Sequence, residues 1–376
     1  MPRRLKVLVT SSYPAPYRVG VFRELAKTYD LDVFFDTCQN ENRNADWFCK
    51  SGELVFEILD NPVSKKHFKE KISDIGQYDF VIAYDSTRKP SRKAILRCRL
   101  HGVPYYLNSD GVIPHNTLKN RIIKRLVYPF LFGGARACFS SGKSATDNFM
   151  NYGVPRERIF EHHFTSLTED DILREPIGEE QKARFRQELG LPGSPLVLTI
   201  GQFIPRKGFD ILLHAWAKVR SDATLLIIGG GDDRPLYEQI IGEEKLTNVK
   251  LLDFMQKSEL YRYYKAADIF VLPTREDIWG LVVNEAMGQG LPVIATDKCN
   301  AGLEMVEEGK NGFIVPVGDV EMLARRLDEL LENPSETRAM AESNLLKIQS
   351  WTMANVAKRH IEAIESTLKG QNGYHS

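Results

Sequence analysis

Short apolar runs alternate with helix-like segments along almost the whole chain, and this alternation limits the possible folds more than any other feature. Each run is long enough for one buried strand, and the segment after it carries apolar residues at every third or fourth position. That pattern is typical of βαβ units, and therefore of parallel sheets covered by helices. The predicted strands are 5–10, 31–35, 54–59, 79–84, 103–108, 135–141, 158–164, 196–201, 224–230, 248–254, 268–273, 291–297 and 312–317.

A polar, acidic stretch at 166–195 interrupts the alternation and shows little apolar periodicity until its end. A length of 376 residues also exceeds that of one ordinary domain. The sequence therefore predicts an α/β protein with two Rossmann-like αβα domains, 1–175 and 176–352, facing each other across a deep cleft. A helix within 353–376 is expected to cross back to the first domain. Because ligands bind beyond the carboxyl ends of parallel strands, the cleft is the expected site.

Charge and cysteine usage exclude several classes of protein. Lys and Arg number 50 and so do Asp and Glu, so the net charge of zero argues against nucleic acid as the main partner. The five cysteines are scattered and lack CxxC spacing, which argues against a disulfide framework or a structural zinc site. No apolar run approaches the roughly 18 residues of a membrane span. The basic start MPRRLKVLVT is interpreted as the lead into a strand, and the cytoplasm is the expected compartment.

Two basic residues stand where a helix is predicted to begin in the second half of the chain. Arg206 and Lys207 directly precede Gly208, after which the amphipathic segment FDILLHAWAKV starts. A helix N-terminus offers unpaired backbone N–H groups and a partial positive charge, so with two cationic side chains it suits a phosphate. The alternative is a basic turn that caps a surface helix.

Two acids, Asp277 and Glu285, lie eight positions apart in the stretch TREDIWGLVVNEAMGQG. Asp277 follows a predicted strand, and the backbone N–H groups of Gly280, Leu281 and Val282 would begin the next helix, where they could contact a phosphate. Glu285 lies further along this helix, where a carboxylate can accept hydrogen bonds from two neighbouring sugar hydroxyls. The alternative is an N-terminal helix acid followed by a solvated helix residue.

These motifs together resemble a known family. GQFIPRKG, NVKLLDFM, AADIFVLPTREDIWGLVVNEAMGQGLPVIATD and NGFIVPVGD occur in the order and spacing of glycosyltransferase family 4. The resemblance covers about 196–320 and is weaker before it, where YPAPYRVGVFRELA, YLNSDG and FTSL look like a bacterial surface-polysaccharide branch. It implies the GT-B fold and a retaining, metal-independent transfer from a nucleotide-diphosphate sugar.

The resemblance also implies roles for residues of the second domain. The first acid of the family's E-x7-E motif falls on Asp277, which would contact hydroxyls of the transferred sugar, and the second falls on Glu285, which would hold the ribose. Lys207 matches the family's diphosphate lysine. The usual arginine five positions earlier is Gln202 here, so Arg206 is expected to supply the missing charge.

Further matches extend the predicted site. Phe254 and Met255 follow the strand whose end normally cradles the nucleobase. In the first domain, Tyr17 stands in the loop that carries the family's glycine pair, so Tyr17 and Arg18 are expected on the acceptor side. Asp110 is the nearest equivalent of a histidine that many relatives place beside the sugar, and His115 is a second, acceptor-side candidate.

The implied chemistry is departure of the nucleoside diphosphate, with its growing charge held by Lys207, Arg206 and backbone N–H groups, and attack by the acceptor hydroxyl on the same face. No metal and no cofactor beyond the nucleotide sugar is expected, and the DLD at 30–32 is interpreted as part of a strand. Two alternatives remain: a nonhydrolysing nucleotide-sugar epimerase with the same fold, and a two-domain solute-binding protein, which would need an export signal. Uridine and guanosine diphosphates both fit.

The segment 117–132 carries apolar residues at helical spacing on one side and four basic residues on the other. A basic amphipathic helix of this kind is typical of a membrane surface, whereas the alternative is a helix whose apolar side packs on the first sheet. The expectation is peripheral binding to anionic lipid at the cytoplasmic face of the membrane, with a lipid-linked saccharide as acceptor.

Overall fold

The computed structural model describes residues 3–38, 54–111 and 127–369. Contacts between residues divide the chain into two compact units. The first unit comprises Met1–Ser166 together with Trp351–Ser376, and the second comprises Leu167–Ser350. The segment Trp351–Ser376 therefore belongs to the first unit.

The first unit is built on a seven-stranded sheet in which every strand pair is parallel. The strand order is β3-β2-β1-β4-β5-β6-β7. The strands are β1 Lys6–Ser11, β2 Asp30–Phe35, β3 Glu57–Ile58, β4 Phe80–Tyr84, β5 Tyr105–Ser109, β6 Ala137–Ser140 and β7 Ile159–Glu161.

Helices cover both faces of this sheet because successive residues of a buried strand point to opposite sides. Val9 belongs to an apolar cluster with Phe22 and Ile364, whereas its neighbour Leu8 belongs to a cluster with Phe68 and Ile95. The helices are α1 Pro16–Ala26, α2 Pro62–Ser73, α3 Lys89–His101, α4 Lys143–Asn151 and the C-terminal helix Met353–Lys369; residues 127–132 are also helical.

The second unit repeats this plan with a six-stranded parallel sheet of order β10-β9-β8-β11-β12-β13. The order reverses between β8 and β11, and such a reversal is where parallel sheets bind their ligands. The strands are β8 Leu196–Ile200, β9 Thr224–Ile228, β10 Val249–Leu252, β11 Ile269–Leu272, β12 Val293–Thr296 and β13 Gly312–Val315. The helices are α5 Glu179–Glu188, α6 Phe209–Trp216, α7 Arg234–Glu243, α8 Lys257–Ala266, α9 Leu281–Gly288, α10 Asn300–Met305, α11 Val320–Glu332 and α12 Pro334–Ile348.

The predicted α/β class with two Rossmann-like sheets is confirmed, and each predicted strand overlaps an observed one. The largest differences in length lie at 54–59 and 158–164, where the strands are only Glu57–Ile58 and Ile159–Glu161. The DLD at 30–32 lies in β2, and Asp32 accepts hydrogen bonds from Lys71 and Tyr78, so its carboxylate has a structural role.

The boundary between the units differs from the predicted one at 175/176, because residues after Ser166 are already bonded to the second unit. The backbone N–H of Leu173 donates to the carbonyl of Gly288 over 2.9 Å, and the Gln289 side chain donates to the carbonyl of Asp171 over 2.7 Å. Hydrogen bonds to the end of α9 thus assign this segment to the second unit.

The polar stretch 166–195 is also more ordered than a linker, since it contains α5. Asp268 holds this helix: its carboxylate accepts from Lys182 at 2.7 Å, from Arg186 at 2.5 Å and from the backbone N–H of Leu196 at 2.7 Å. The three side chains are largely buried, so two of the charges of α5 that suggest exposure in the sequence, Lys182 and Arg186, are paired inside the unit.

The segment 117–132 falls mostly outside the described residues, so the predicted amphipathic helix stays a prediction. Of the part that the structure describes, Leu131 and Phe132 are buried, whereas Val127 and Phe130 are exposed. None of the helices in the described ranges is long and apolar enough to span a membrane.

Replacing Asp268 by alanine is expected to destabilise the second unit by about 3 kcal/mol, because it leaves a buried guanidinium without its counter-charge. Urea unfolding followed by circular dichroism measures the loss. Asp232→Ala, at an exposed position of the same unit, is the matched control and should change little. Equal stabilities for the two variants would contradict the assignment of Asp268 as the anchor of α5.

Candidate active site

Two loops lie side by side where the strand order of the second sheet reverses. One follows β8 and contains the short 3-10 turn Pro205–Lys207, and the other follows β11. Thr274 Oγ1 and the Arg275 backbone N–H both donate to the carbonyl of Arg206, over 2.9 and 2.8 Å. Arg275 also donates to the carbonyl of Pro205. The loop after β11 therefore fixes the backbone that carries the two basic residues.

Glycines allow this close approach of backbones. Gly208 has a φ of +70°, and a Cβ on it would lie 2.2 Å from the carbonyl oxygen of Pro273. A Cβ on Gly229 would lie 1.8 Å from the carbonyl oxygen of Gly201. Any side chain at either position would push the loops apart.

Lys207 and Asp277 form an ion pair where these two loops meet. Lys207 Nζ lies 2.5 Å from Asp277 Oδ2, and each side chain is only 11% exposed. Burial raises the pKa of Asp277, but Lys207 and, further away, Arg206 outweigh that effect, so the pKa lies below its usual range. The carboxylate is therefore ionised at neutral pH.

Arg206 adds a second positive charge at the same carboxylate. Its Nη1 lies 3.4 Å from Asp277 Oδ1 and donates to the carbonyl of Glu276 over 2.9 Å. The backbone N–H of Asp277 donates to the carbonyl of Lys298 over 2.8 Å, which fixes the acid from the other side. Two cations around one carboxylate leave a local excess of positive charge, which suits an anion.

The helix α9 begins beside this cluster. Its N-cap is Gly280, with a φ of +100°, and a Cβ there would lie 2.9 Å from Cys299 Sγ. The cap has no side-chain hydrogen bond, and the first N–H groups of a helix have no partner within it, so Leu281 and Val282 offer donors to a ligand. Trp279 Nε1 donates to Asn284 Oδ1 over 2.8 Å and fixes this first turn.

Glu285 is half-buried on α9, and its Oε2 accepts a hydrogen bond from Tyr264 Oη over 3.2 Å. The other donor-side residues predicted from the sequence lie in loops at the carboxyl edge of the same sheet. Gln202 is half-buried after β8, whereas Phe254, 46% exposed, and half-buried Met255 follow β10.

In the first unit, Arg18 and Asp110 form a close ion pair although they are far apart in sequence. The Asn108 side chain donates to Asp110 Oδ1 over 3.0 Å, and the Arg18 guanidinium lies 4.3 Å from the centre of the Tyr84 ring. Burial raises the pKa of Asp110, and the contact with Arg18 opposes that shift. Arg18 is thus largely buried against Asp110.

Of the two other residues predicted on the acceptor side, Tyr17 and His115, the structure describes only Tyr17. The Tyr17 ring packs edge-on against Phe164, with 5.2 Å between ring centres, and is half-buried. His115 lies outside the described residues.

Several residues of this region were not predicted. Asp85 has a φ of +53° and accepts from the backbone N–H of Ser12 over 3.1 Å, where the strand order of the first sheet reverses between β1 and β4. Its position directly after an apolar run was a signal in the sequence. His360 is buried, and its Nε2 lies 3.2 Å from Asn108 Oδ1. The ring centre of His360 is 5.0 Å from that of buried His162.

Within 3–38, 54–111 and 127–369, no group of three or more His, Cys, Asp or Glu side chains is arranged to hold a metal ion. Both charge clusters described above pair acids with basic side chains instead.

Solved structures of other proteins have the same fold as this chain. HepE from Anabaena, solved in complex with UDP, matches 96% of this chain and 100% of its own with a TM-score of 0.78 and 19% identity. The fold is therefore that of the GT-B glycosyltransferases, with two Rossmann-like domains.

Sequence comparison then gives the family. Residues 181–346 match the model of the glycosyl transferases group 1. An uncharacterized glycosyltransferase from Haemophilus influenzae is 31% identical over 64% of this chain and 69% of its own. A GDP-mannose-dependent alpha-(1-6)-phosphatidylinositol monomannoside mannosyltransferase from Mycolicibacterium smegmatis is 29% identical over 93% and 94%. The chain spans about half the length of other curated relatives that it matches. It belongs to the group 1 glycosyltransferases.

The buried histidines predict acid sensitivity of the first unit. Burial lowers the pKa of His162 well below its usual range and that of His360 to about 4. The unfolded chain therefore takes up protons below about pH 6.5 that the folded chain does not, so stability is complete above that pH and falls towards pH 4. His360 alone should cost about 2 kcal/mol between pH 7 and 5.

Chemical denaturation at pH 7 and pH 5 measures this loss. His162→Leu should flatten the profile, because it removes one imidazole whose nitrogens have no hydrogen-bond partner among the described protein atoms. His101→Gln, at an exposed site in the same unit, serves as control. A His162→Leu profile as steep as that of the wild type would contradict the prediction.

Proposed function

We propose that the chain is a retaining glycosyltransferase that moves a sugar from a nucleotide-diphosphate sugar to a saccharide acceptor without a metal ion. The observation that carries the proposal is the convergence of Lys207 and Arg206 on Asp277, in the loops where the second sheet reverses its strand order. Fixed cations beside the uncapped start of α9 suit a diphosphate leaving group.

The donor is proposed to bind along the carboxyl edge of the second sheet. Its diphosphate takes Lys207, Arg206 and the backbone N–H groups of 280–282 as partners, with Gln202 as a neutral neighbour. Asp277 then accepts hydroxyls of the transferred sugar, and Glu285 accepts the two ribose hydroxyls. Phe254 and Met255 lie beside the nucleobase.

Departure of the nucleoside diphosphate places negative charge on its terminal phosphate, where the two cations are already fixed by backbone and carboxylate contacts. Charge stabilisation by groups that need not reorganise lowers the barrier. The acceptor hydroxyl attacks the anomeric carbon from the face that the diphosphate leaves, and its proton passes to an oxygen of the departing diphosphate. Asp110 is proposed near the reacting sugar, where Arg18 pairs with its carboxylate and opposes the rise in pKa that burial causes. Tyr17 and His115 are the acceptor-side candidates.

Transfer, epimerisation and mere binding are separated by one experiment. The protein is incubated with a panel of UDP- and GDP-linked hexoses, with and without a membrane extract, in the presence and absence of EDTA. A transferase consumes one donor only when the extract supplies an acceptor, and EDTA leaves the rate unchanged. Epimerised donor without extract indicates a nucleotide-sugar epimerase, and binding without turnover indicates a binding module. Loss of activity in EDTA that a divalent ion restores contradicts the metal-independent mechanism.

We further propose that the acceptor is a lipid-linked saccharide in cell-surface glycan synthesis, used by a protein bound at the cytoplasmic face of a membrane. The relative from Mycolicibacterium smegmatis is named for a phosphatidylinositol mannoside acceptor. Besides 117–132, the exposed side of α3 supports this reading, since Lys93 and Arg97 stand there with Leu96 and Leu100. Basic and apolar side chains together favour an anionic headgroup layer.

Glu285→Ala and Lys207→Ala should each weaken donor use about tenfold to hundredfold, because each removes a charge-assisted hydrogen bond worth roughly 1.5–3 kcal/mol. Initial rates at varied nucleotide-sugar concentration measure the loss. Glu259→Ala and Lys218→Ala are matched controls at exposed positions of the same unit. Normal turnover by a folded Glu285 or Lys207 variant would contradict the donor-site assignment.

Vesicle flotation tests the membrane proposal. The protein should float with vesicles that contain anionic lipid, and less so as salt is raised, because each basic residue near the surface contributes about 1 kcal/mol. Joint replacement of Lys124 and Arg125, or of Lys93 and Arg97, by glutamate should reduce flotation further. The control replaces exposed Lys218 of the other unit by glutamate. If the wild type fails to float even at low salt, a soluble acceptor becomes the better proposal.

A further inference from the structure

The carboxylate of Glu285 rests against a phenol that the family motif does not contain. Tyr264 lies in α8 and is completely buried, and its Oη donates to Glu285 Oε2 over 3.2 Å. A phenol beside an ionised carboxylate can only donate, since the carboxylate has no proton to give. The contact therefore orients the acid through one of its two oxygens.

The phenol itself has little freedom to move. The Tyr264 ring lies 5.9 Å from the ring of Phe270 in β11 and 6.0 Å from that of Tyr261, centre to centre. Burial raises the pKa of Tyr264 well above its usual value, and the charge of Glu285 raises it further. The hydroxyl therefore stays protonated, and so remains a donor, throughout the working range of pH.

The two helices that carry this contact are also tied together. Lys257, at the start of α8, lies 2.7 Å from Asp171 Oδ2, and the backbone carbonyl of Asp171 accepts from Gln289, which follows α9. Asp171 thus links the beginning of one helix to the end of the other. The Tyr264–Glu285 contact is made within this linked pair of helices, rather than by two long side chains meeting at a surface.

Such support matters because a glutamate side chain has several rotatable bonds, and fixing it only when ligand binds costs conformational entropy. An ionised carboxylate has about four acceptor positions, more than the single bond from Tyr264 uses. A carboxylate held in place before binding discriminates more sharply against a ligand that lacks one hydroxyl.

We propose that Tyr264 is a positioning residue that fixes Glu285 for the vicinal hydroxyls of the donor's ribose, and thereby sets the preference for ribonucleotides over 2′-deoxyribonucleotides. This inference rests on the proposed role of Glu285 in donor binding. In this role Tyr264 affects specificity through Glu285 and does not itself contact the nucleotide.

The test uses the full chain and compares Tyr264→Phe with the wild type. Titration calorimetry gives the dissociation constants of UDP and GDP and of their 2′-deoxy counterparts. Tyr264→Phe should weaken binding of the preferred ribonucleotide about threefold to tenfold, while the 2′-deoxy form changes little. With the nucleotide sugar, KM should rise by a similar factor and kcat should change less. Tyr263→Phe, next in the same helix, is the control and should keep the wild-type preference.

Glu285→Gln, alone and combined with Tyr264→Phe, tests the role of Tyr264 separately from the proposal that Glu285 holds the ribose. The ribose preference should be lost in Glu285→Gln, and adding Tyr264→Phe should then have no further effect. If Glu285→Gln keeps the preference, Glu285 does not hold the ribose, and the donor-site assignment fails. If Glu285→Gln loses it but Tyr264→Phe keeps it, or weakens both kinds of nucleotide equally, only the role of Tyr264 is overturned.

Discussion

The reversal of strand order between β8 and β11 is the constraint on which the candidate site depends. It brings together two loops that are about seventy residues apart in sequence, and glycines let their backbones meet closely enough for direct hydrogen bonds. The lysine and the aspartate then pair because each loop is already fixed by its strand. The charge arrangement of the candidate site thus follows from sheet topology, and side-chain attraction adds precision to a geometry that the backbone has set.

The two units use charge in different ways. In the second unit, two cations share one carboxylate, so an anionic ligand adds a partner that the cluster lacks. In the first unit, one guanidinium and one carboxylate, with an amide and an aromatic ring around them, already form a closed set. A closed set of this kind holds an acid in one orientation, whereas an open set attracts a charged substrate.

Much of this could be predicted from the sequence, for a physical reason. Strands buried on both faces are apolar along their whole length, so the strands of both sheets are visible without knowledge of the fold. The motif residues Lys207 and Asp277 were placed in neighbouring loops, but their direct contact was not, because distance in space is not visible in sequence. The same holds for Arg18 with Asp110. In the sequence, Tyr264 resembles any aromatic residue of the core, because its contact with Glu285 is not visible there. The residues of α5 resemble a linker, because Asp268, which pairs with Lys182 and Arg186, lies far along the chain.

The hydrogen bonds that join Asp171 and Leu173 to the end of α9 also define where the chain can be cut and rejoined. Leu167 is completely buried, and a Cβ on Gly288 would lie 3.2 Å from its side chain. A chimera of two relatives that was joined at residue 175 would place residues 167–175 of the other protein against α9, the helix that carries Glu285. Junctions at Ser166 and Trp351 would instead keep residues 167–175 together with their native α9. Packing against α9 therefore determines which segment can be exchanged between relatives.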